Sequence, residues 1–205
     1  MSEVHIWRAD LDAPLALDPA DLPVDERERA ASLPAPRIRA RWTAARVTLR
    51  HVLAHYLDES PSEIALRLEE HGKPVLAELN PRLHFNLSHS GDTAVVAVSR
   101  EREVGIDLEE KIAGRDFLRL AEVGLDAAAA AAVAAAQPRD RAAAFYAAWV
   151  RREAIAKCHG TGLAAPPPAD PVCVIELNAG REHAAAVAVA GDEALPLRRY
   201  AAPPA

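Results

Sequence analysis

The stretch Gly105-Ile106-Asp107-Leu108-Glu109 decides how the rest of the chain is interpreted. Apolar and acidic residues alternate in it, which is the pattern of a β-strand. On a strand, Asp107 and Glu109 point to one face, with Cα atoms roughly 6.5 Å apart, while Ile106 and Leu108 point to the other. Two carboxylates this close repel each other, and a hard cation such as Mg²⁺ bound by both would offset the repulsion. The alternative is a solvated strand end, which this stretch alone favours.

Composition excludes several classes of protein. The chain has 205 residues, a formal net charge of -6 and a sequence pI of about 5.8, which argues against binding nucleic acid through bulk charge. Cys158 and Cys173 have no paired spacing, so we expect neither a disulfide scaffold nor a cysteine-rich zinc site, and a reducing cytoplasm is the natural setting. The sequence shows no signal-like start and no apolar run long enough to cross a bilayer, so we expect no membrane association.

The order of predicted elements indicates an α+β fold. A long amphipathic helix over 37–57 is followed by strands that we expect to form an antiparallel meander ending at the acidic strand. The second half has an alanine-rich helix over 121–136, a helix over 141–158 and three short strands. Because each half holds helix followed by strands, we predict two similar lobes, at residues 1–110 and 111–205.

The first half of the long helix is rich in arginine. No acidic residue stands at the i+4 position of Arg39, Arg41 or Arg46. Two interpretations remain open, a solvated helix face and a grip on phosphate, because the guanidinium fork matches phosphate geometry. Farther along, Gly72-Lys73-Pro74 predicts a tight turn, where a lysine is usually just exposed.

The stretch Phe85-Asn86-Leu87-Ser88-His89-Ser90 places a serine beside a histidine. Neighbours on a strand point to opposite faces, so Ser88 and His89 cannot easily pair as nucleophile and base. They could instead offer hydrogen-bond donors to a phosphate, although a lone histidine is more often a structural hydrogen-bonding group.

On the second strong helix, Trp149, Glu153 and Lys157 lie on one face at i, i+4 spacing. A glutamate–lysine pair at that spacing is commonly a surface salt link. The tryptophan on the same stripe indicates that the stripe faces protein, and a partly buried glutamate near a positive centre can serve as a third metal ligand or as a general base.

Three blocks, in this order and at these distances, resemble the Sfp-type 4′-phosphopantetheinyl transferases. They are Phe-Asn-Leu-Ser-His-Ser at 85–90, Gly-Ile-Asp-Leu-Glu at 105–109 and Trp-x-x-Arg-Glu-Ala-x-x-Lys at 149–157. The resemblance implies a pseudo-twofold pair of α+β lobes with coenzyme A in the cleft between them. It also implies transfer of phosphopantetheine from coenzyme A to a serine of an acyl or peptidyl carrier protein of fatty acid, polyketide or nonribosomal peptide biosynthesis, with 3′,5′-adenosine bisphosphate as the other product.

Carried over residue by residue, the resemblance implies a role for each group. Asp107, Glu109 and Glu153 would hold Mg²⁺, or alternatively Mn²⁺, against the coenzyme A pyrophosphate. Glu153 would also deprotonate the carrier serine, and Lys157 would stabilise charge on the transferring phosphate. The groups that would contact coenzyme A are Lys73, Ser88 and His89 and, at its 3′-phosphate, Arg41 or Arg46, with Arg39 a weaker choice.

Two features depart from the family pattern. Arg152 stands where the family usually has lysine, which keeps the charge but changes the geometry and the reach of the donor. The segment 118–125 lacks the paired aromatic motif of the region that helps seat the carrier protein, so carrier preference stays open.

The competing hypothesis is a non-catalytic homologue that binds coenzyme A or a carrier protein. The intact set of Asp107, Glu109, Glu153 and Lys157 argues against it, because a pure binder needs no base beside its metal. The acidic strand and the Glu153 helix come from opposite halves of one chain and can meet within it, so we expect a monomer.

Overall fold

The fold was obtained as a computed structural model, which describes residues 3–13, 18–78, 83–164 and 169–201. Within those ranges no helix is both long and apolar enough to span a membrane. The strands are β1 (Val4–Asp10), β2 (Leu66–Leu68), β3 (Pro74–Leu76), β4 (His84–Ser90), β5 (Thr93–Ser99), β6 (Val104–Glu110), β7 (Val172–Leu177), β8 (His183–Ala190) and β9 (Leu197–Tyr200). The α-helices are α1 (Val24–Ala31), α2 (Pro36–Leu57), α3 (Phe117–Gly124), α4 (Ala127–Ala135) and α5 (Arg141–His159).

The main elements stack as helix, sheet, sheet and helix. The first sheet has the strand order β4-β5-β1-β9, and the second has the order β6-β8-β7. Helix α2 packs on the first sheet through residues such as Leu53, and α5 packs on the second through residues such as Ala154. The two sheets bury their inner faces against each other around Ile6 and Ile106. The prediction of an α+β fold with two similar lobes is therefore confirmed.

The predicted antiparallel meander is wrong except for the pair β4–β5: β2 pairs with β3 in a separate two-stranded sheet, and β6 leaves the first sheet. Strand β6 pairs with β8, with Asp107 opposite Ala186, and therefore belongs to the second sheet. The reason is that both faces of β6 need cover: its apolar face is buried between the sheets, and its other face lies against α5. A Cβ on Gly105 would lie 2.1 Å from the backbone oxygen of Ala154, so only glycine allows this close packing. The division at residue 110 stays a prediction.

The alanine-rich segment forms two helices, and the prediction of one helix over 121–136 is wrong. Helix α3 ends at Gly124, and the Asp126 side chain caps α4 by accepting a hydrogen bond from Ala129 N at 2.9 Å. This cap starts a new helix and overrides the uniform helix propensity of alanine. The helix predicted over 141–158 is confirmed as α5, which ends at His159 and is followed by the cap residue Gly160 in the left-handed conformation (φ 69°).

Strands β4 and β6 run parallel along the junction of the two sheets and are joined by side chains, an arrangement that we name the polar seam. Side-chain oxygens of β4 accept hydrogen bonds from successive outward N–H groups of β6. The pairs are Asn86–Ile106 (2.9 Å), Ser88–Leu108 (3.2 Å) and Ser90–Glu110 (3.0 Å). Because β6 is an edge strand, these N–H groups would otherwise lack partners, and the seam fixes the acidic strand against β4.

Candidate active site

A cavity of about 190 Å³ lies where the β2–β3 turn, β4 and the second half of α5 meet. Three of the predicted site residues line it: Lys73, Glu153 and Lys157. Gly72 and Leu163 are also among the lining residues. The cavity therefore combines two ammonium groups and one carboxylate at the junction of the lobes, which is a suitable environment for an anionic ligand.

Lys73 is fixed in place and is not an exposed turn residue. Its side chain is only 8% exposed, and Nζ donates to Glu103 Oε2 at 3.0 Å and to Cys158 O at 3.3 Å. The other oxygen of Glu103 is hydrogen-bonded to His84 Nδ1 at 2.8 Å. Burial raises the pKa of Glu103, but the His84 hydrogen bond and the Lys73 charge outweigh burial and lower the pKa to about 2. Glu103 thus anchors Lys73 at the cavity.

Asp107 is buried and paired with Lys157. Lys157 Nζ lies 2.6 Å from Asp107 Oδ1, and Ser88 Oγ donates to the same oxygen at 3.0 Å. Lys157 also reaches Ser88 Oγ at 3.2 Å, so Ser88 positions both charged groups. Asp107 Oδ2 is buried without a hydrogen-bond partner among the described residues. An unpaired buried carboxylate oxygen is costly, and it is the kind of atom that a bound cation would satisfy.

Glu109 lies on the same face of β6 as Asp107, as the sequence pattern predicts, and this face lies against α5. Trp149 Nε1 donates to Glu109 Oε1 at 3.3 Å, and Ser90 Oγ donates to Glu109 Oε2 at 3.1 Å. Together with the Lys157–Asp107 ion pair, this confirms that the stripe of Trp149 and Lys157 on α5 faces protein.

Glu153 is the carboxylate that lines the cavity, and its pKa is shifted. Burial raises its pKa above the ordinary value; the positive charge of Lys157 opposes this effect, and the carboxylates of Asp107 and Glu109 add to it. The described residues contain no group of three or more histidine, cysteine or acidic side chains already arranged around a metal position. The carboxylate oxygens of Asp107, Glu109 and Glu153 are nevertheless ligands of the kind that a hard cation prefers. Metal binding by these residues stays a prediction.

Ser88 and His89 lie on opposite faces of β4, as predicted. Ser88 is buried in the seam, whereas His89 is exposed. Loss of part of the ring's hydration, and then the charge of Lys157, lower the pKa of His89. The imidazole is therefore biased toward its neutral form.

Arg41, Arg46 and Arg50 of α2 have acidic partners, although the i+4 spacing within the helix indicates none. The pairs are Arg41 with Asp12 (2.6 Å), Arg46 with Glu26 and Arg50 with Glu26 (2.9 Å), while Arg39 donates to Leu33 O (3.2 Å). The carboxylates come from segments before α2, so i+4 spacing within the helix could not reveal them. For Arg41 or Arg46 to hold a phosphate, the guanidinium would have to exchange its carboxylate for it, and this role stays a prediction.

Sequence reasoning missed three residues that shape the site. Asn86 and Ser90 carry the seam on either side of Ser88, and their alternation of small polar side chains on one strand face was a visible signal. Glu103, the anchor of Lys73, had no such signal, because its partners lie 30 and 19 residues earlier in the chain.

Known protein families match nearly the whole chain. Residues 15–101 match the family described as 4′-phosphopantetheinyl transferase, N-terminal, and residues 103–200 match the 4′-phosphopantetheinyl transferase superfamily. The 4′-phosphopantetheinyl transferase HetI of Nostoc sp. is 35% identical over 167 residues, covering 79% of this chain and 70% of HetI. The 4′-phosphopantetheinyl transferase AcpT of Escherichia coli (strain K12) is 38% identical over 144 residues, covering 70% and 68% of the two chains.

The two-lobe fold and the carboxylate–ammonium cavity fit an enzyme of the transferase class, and the named relatives show that this chain is one. The chain belongs to the 4′-phosphopantetheinyl transferase superfamily. This result sets aside the hypothesis of a non-catalytic homologue.

Glu103→Gln should weaken the fold in a pH-dependent way. The folded-state pKa is about 2 against a reference value of 4.5, so ionised Glu103 stabilises the fold above about pH 4.5, and this contribution is lost as the pH falls toward 2. Because Glu103 is half exposed, we expect a loss below about 1 kcal/mol at pH 7 that shrinks by pH 3. Thermal unfolding across this range measures it, with the exposed Glu63→Gln as control; a loss that does not change with pH would contradict the assignment.

Proposed function

We propose that the chain transfers the 4′-phosphopantetheine group from coenzyme A to a serine of an acyl or peptidyl carrier protein and releases 3′,5′-adenosine bisphosphate. The observation that carries the proposal is that Glu153 and Lys157 line one cavity, with Lys157 paired to the buried Asp107 behind it. Attack of a hydroxyl on a pyrophosphate needs a base and a means of neutralising charge on the leaving group, and these residues supply both. Strand β6 and helix α5 meet within one chain, which supports a monomeric enzyme.

Glu153 is the proposed general base. It takes the proton of the carrier serine as the serine oxygen bonds to the phosphorus next to pantetheine, and the bond from that phosphorus to the bisphosphate oxygen breaks. Burial raises the pKa of Glu153, which makes its carboxylate a stronger proton acceptor, while Lys157 opposes the shift and favours the ionised form. The proton leaves to solvent when the holo-carrier departs.

Lys157 and the acidic strand are the proposed charge-stabilising groups. Lys157 lines the cavity, and its Nζ is paired with Asp107 Oδ1. A change of its side-chain rotamer is proposed to bring Nζ to a phosphoryl oxygen of the bound ligand. Asp107, Glu109 and Glu153 are the residues proposed to hold Mg²⁺, with Mn²⁺ as the alternative; the unpaired Asp107 Oδ2 supports this assignment. When bound, the metal would neutralise developing charge on the pyrophosphate.

Coenzyme A is proposed to lie across the cavity with its phosphates toward the lysines. Lys73 lines the cavity, and His89 is exposed on β4; both are proposed to donate to the ligand. Ser88 stays in the proposed set, although its hydroxyl already bonds to Asp107 and to Leu108 N. Arg41 or Arg46 would receive the 3′-phosphate after exchanging a carboxylate partner for it.

The α3–α4 hairpin offers the proposed carrier surface. A shallow groove of about 550 Å³ runs between the two helices, with Leu118, Leu125 and several alanines along it. Leu118 is 42% exposed and Val123 on the same helix is 80% exposed, which is unusual for large apolar side chains. We name the groove the hairpin groove and propose that it, together with the exposed Val123 outside its lining, receives apolar side chains of the carrier.

Binding and transfer should separate at Glu153. Glu153→Gln keeps an oxygen ligand but removes the base, so we expect coenzyme A to bind within a few-fold while carrier modification slows by on the order of 10²–10⁴. Asp107→Ala should weaken Mg²⁺-dependent coenzyme A binding and stop transfer together. The measurements are calorimetry with coenzyme A and Mg²⁺, and intact mass of apo carrier proteins incubated with the enzyme.

Glu176→Gln is the matched control for these variants, because Glu176 lies on the exposed side of β7 and pairs only loosely with Arg151 at 3.6 Å. It should bind and transfer like wild type. Equal transfer rates in wild type and Glu153→Gln would remove Glu153 from the base role. Absence of any mass gain across a broad carrier panel would contradict the proposed reaction itself.

The hairpin groove should affect the carrier and not coenzyme A. Replacing both Leu118→Ser and Val123→Ser removes two exposed apolar side chains, and we expect the carrier KM to rise about tenfold because their burial would be lost. Val24→Ser, at an exposed valine on α1, is the control. It should change neither the KM for the carrier nor the KM for coenzyme A. An equal rise in both KM values, or none, would place the carrier elsewhere.

A further inference from the structure

Arg152, in the interior of α5, contacts two separate backbone carbonyls. Its Nη1 donates to the backbone oxygen of Gly124, and its Nη2 donates to the backbone oxygen of Leu163 at 2.8 Å. Gly124 is the last residue of α3, where backbone carbonyls lack partners within the helix. A cation at this end also suits the negative end of the helix dipole. One guanidinium therefore joins the end of α3 to the loop that follows α5.

The two segments joined by Arg152 belong to different parts of the proposed site. Gly124 precedes Leu125, which lines the hairpin groove, and Leu163 lines the coenzyme A cavity. Arg152 is not one of the described residues that line this cavity. Its positive charge is thus directed at the protein backbone rather than at a bound phosphate.

Trp149 completes this junction. The Arg152 guanidinium lies 6.0 Å from the centre of the Trp149 ring, at the outer limit of a cation–π contact. A Cβ on Gly124 would lie 2.7 Å from Trp149 Cζ3, so the end of α3 packs directly on the tryptophan. Trp149 in turn donates to Glu109. The end of the hairpin is thereby connected through α5 to the acidic strand.

We propose that Arg152 is a positioning residue that sets the hairpin groove at a fixed distance and angle from the coenzyme A cavity. The inference rests on the proposed function, in which the groove holds the carrier and the cavity holds the phosphate. Transfer requires the carrier serine to meet the phosphorus in a narrow range of positions, and a displacement of about 1 Å can cost on the order of 10²-fold in rate. A bridge between the two sites controls this distance.

The chemistry of arginine is specific to this task. The planar fork presents separate nitrogens to two carbonyl oxygens at once, whereas lysine ends in a single nitrogen. A lysine at this position could bind both carbonyl oxygens only if both lay within hydrogen-bond distance of its single Nζ atom. The proposal therefore distinguishes a role of geometry from a role of charge, which lysine would preserve.

Kinetics of Arg152→Lys and Arg152→Met test the proposal. We expect both variants to lose about tenfold in kcat/KM for the carrier, while the Kd for coenzyme A stays within about threefold, because the two sites are misaligned rather than emptied. The opposite pattern, with Arg152→Lys like wild type and Arg152→Met impaired in coenzyme A binding, would show that the charge acts on the ligand and would overturn the proposal.

Hydrogen exchange of the protein without substrates gives a second measurement that does not depend on the reaction. The Leu125 amide, bonded to Ala121 O at 2.9 Å, reports on the end of α3, and the Lys111 amide, bonded to Glu182 O at 2.7 Å, serves as the control. We expect faster exchange at Leu125 and around Leu163 in Arg152→Lys, with Lys111 unchanged. Unchanged exchange at Leu125 or around Leu163 would overturn the bridge even if the enzyme transfers phosphopantetheine. If the wild type modifies no carrier, the proposed function fails while the bridge is still tested.

Discussion

The polar seam between β4 and β6 is the interaction on which the site depends. Each serine of the seam acts twice: its hydroxyl accepts a backbone N–H of β6 and donates its proton to a carboxylate of the same strand. Ser88 joins Leu108 N to Asp107, and Ser90 joins Glu110 N to Glu109. A hydroxyl has one donor and two acceptor positions, so these bonds are within its capacity. The backbone position of the acidic strand and the orientation of its side chains are fixed by the same atoms.

Holding the acidic strand here has an electrostatic cost that the neighbours partly offset. Asp107 is buried, and a buried carboxylate is tolerated when it is paired and hydrogen-bonded, as Lys157 and Ser88 arrange for one of its oxygens. The other oxygen remains unpaired, and the charges of Asp107 and Glu109 contribute to the raised pKa of Glu153. The seam therefore maintains a locally unfavourable charge arrangement, as expected where chemistry requires perturbed groups.

Local patterns predicted much of the site, and non-local contacts account for the rest. Alternation along 105–109 and the i, i+4 stripe on α5 depend on neighbouring residues only. The strand, the helix and which of their side chains share a face therefore followed from the sequence. The pairing of β6 with β8 did not, because strand partners are chosen by burial on both faces. The carboxylates that pair with the α2 arginines are also far from them in the sequence, since Glu26 lies 20 residues before Arg46. The cap at Asp126 was a local signal that alanine propensity obscured.

Amide hydrogen exchange along β6 tests the central claim most directly. The amides of Ile106, Leu108 and Glu110 point away from β8, so only the side chains of β4 can protect them. The account predicts slow exchange at all three in wild type and, in Ser88→Ala, exchange at Leu108 faster by about tenfold, the equivalent of one lost hydrogen bond. The Lys111 amide, bonded to Glu182 O, should not change. Rapid exchange at these three amides in wild type, or an unchanged Leu108 in Ser88→Ala, would contradict the account.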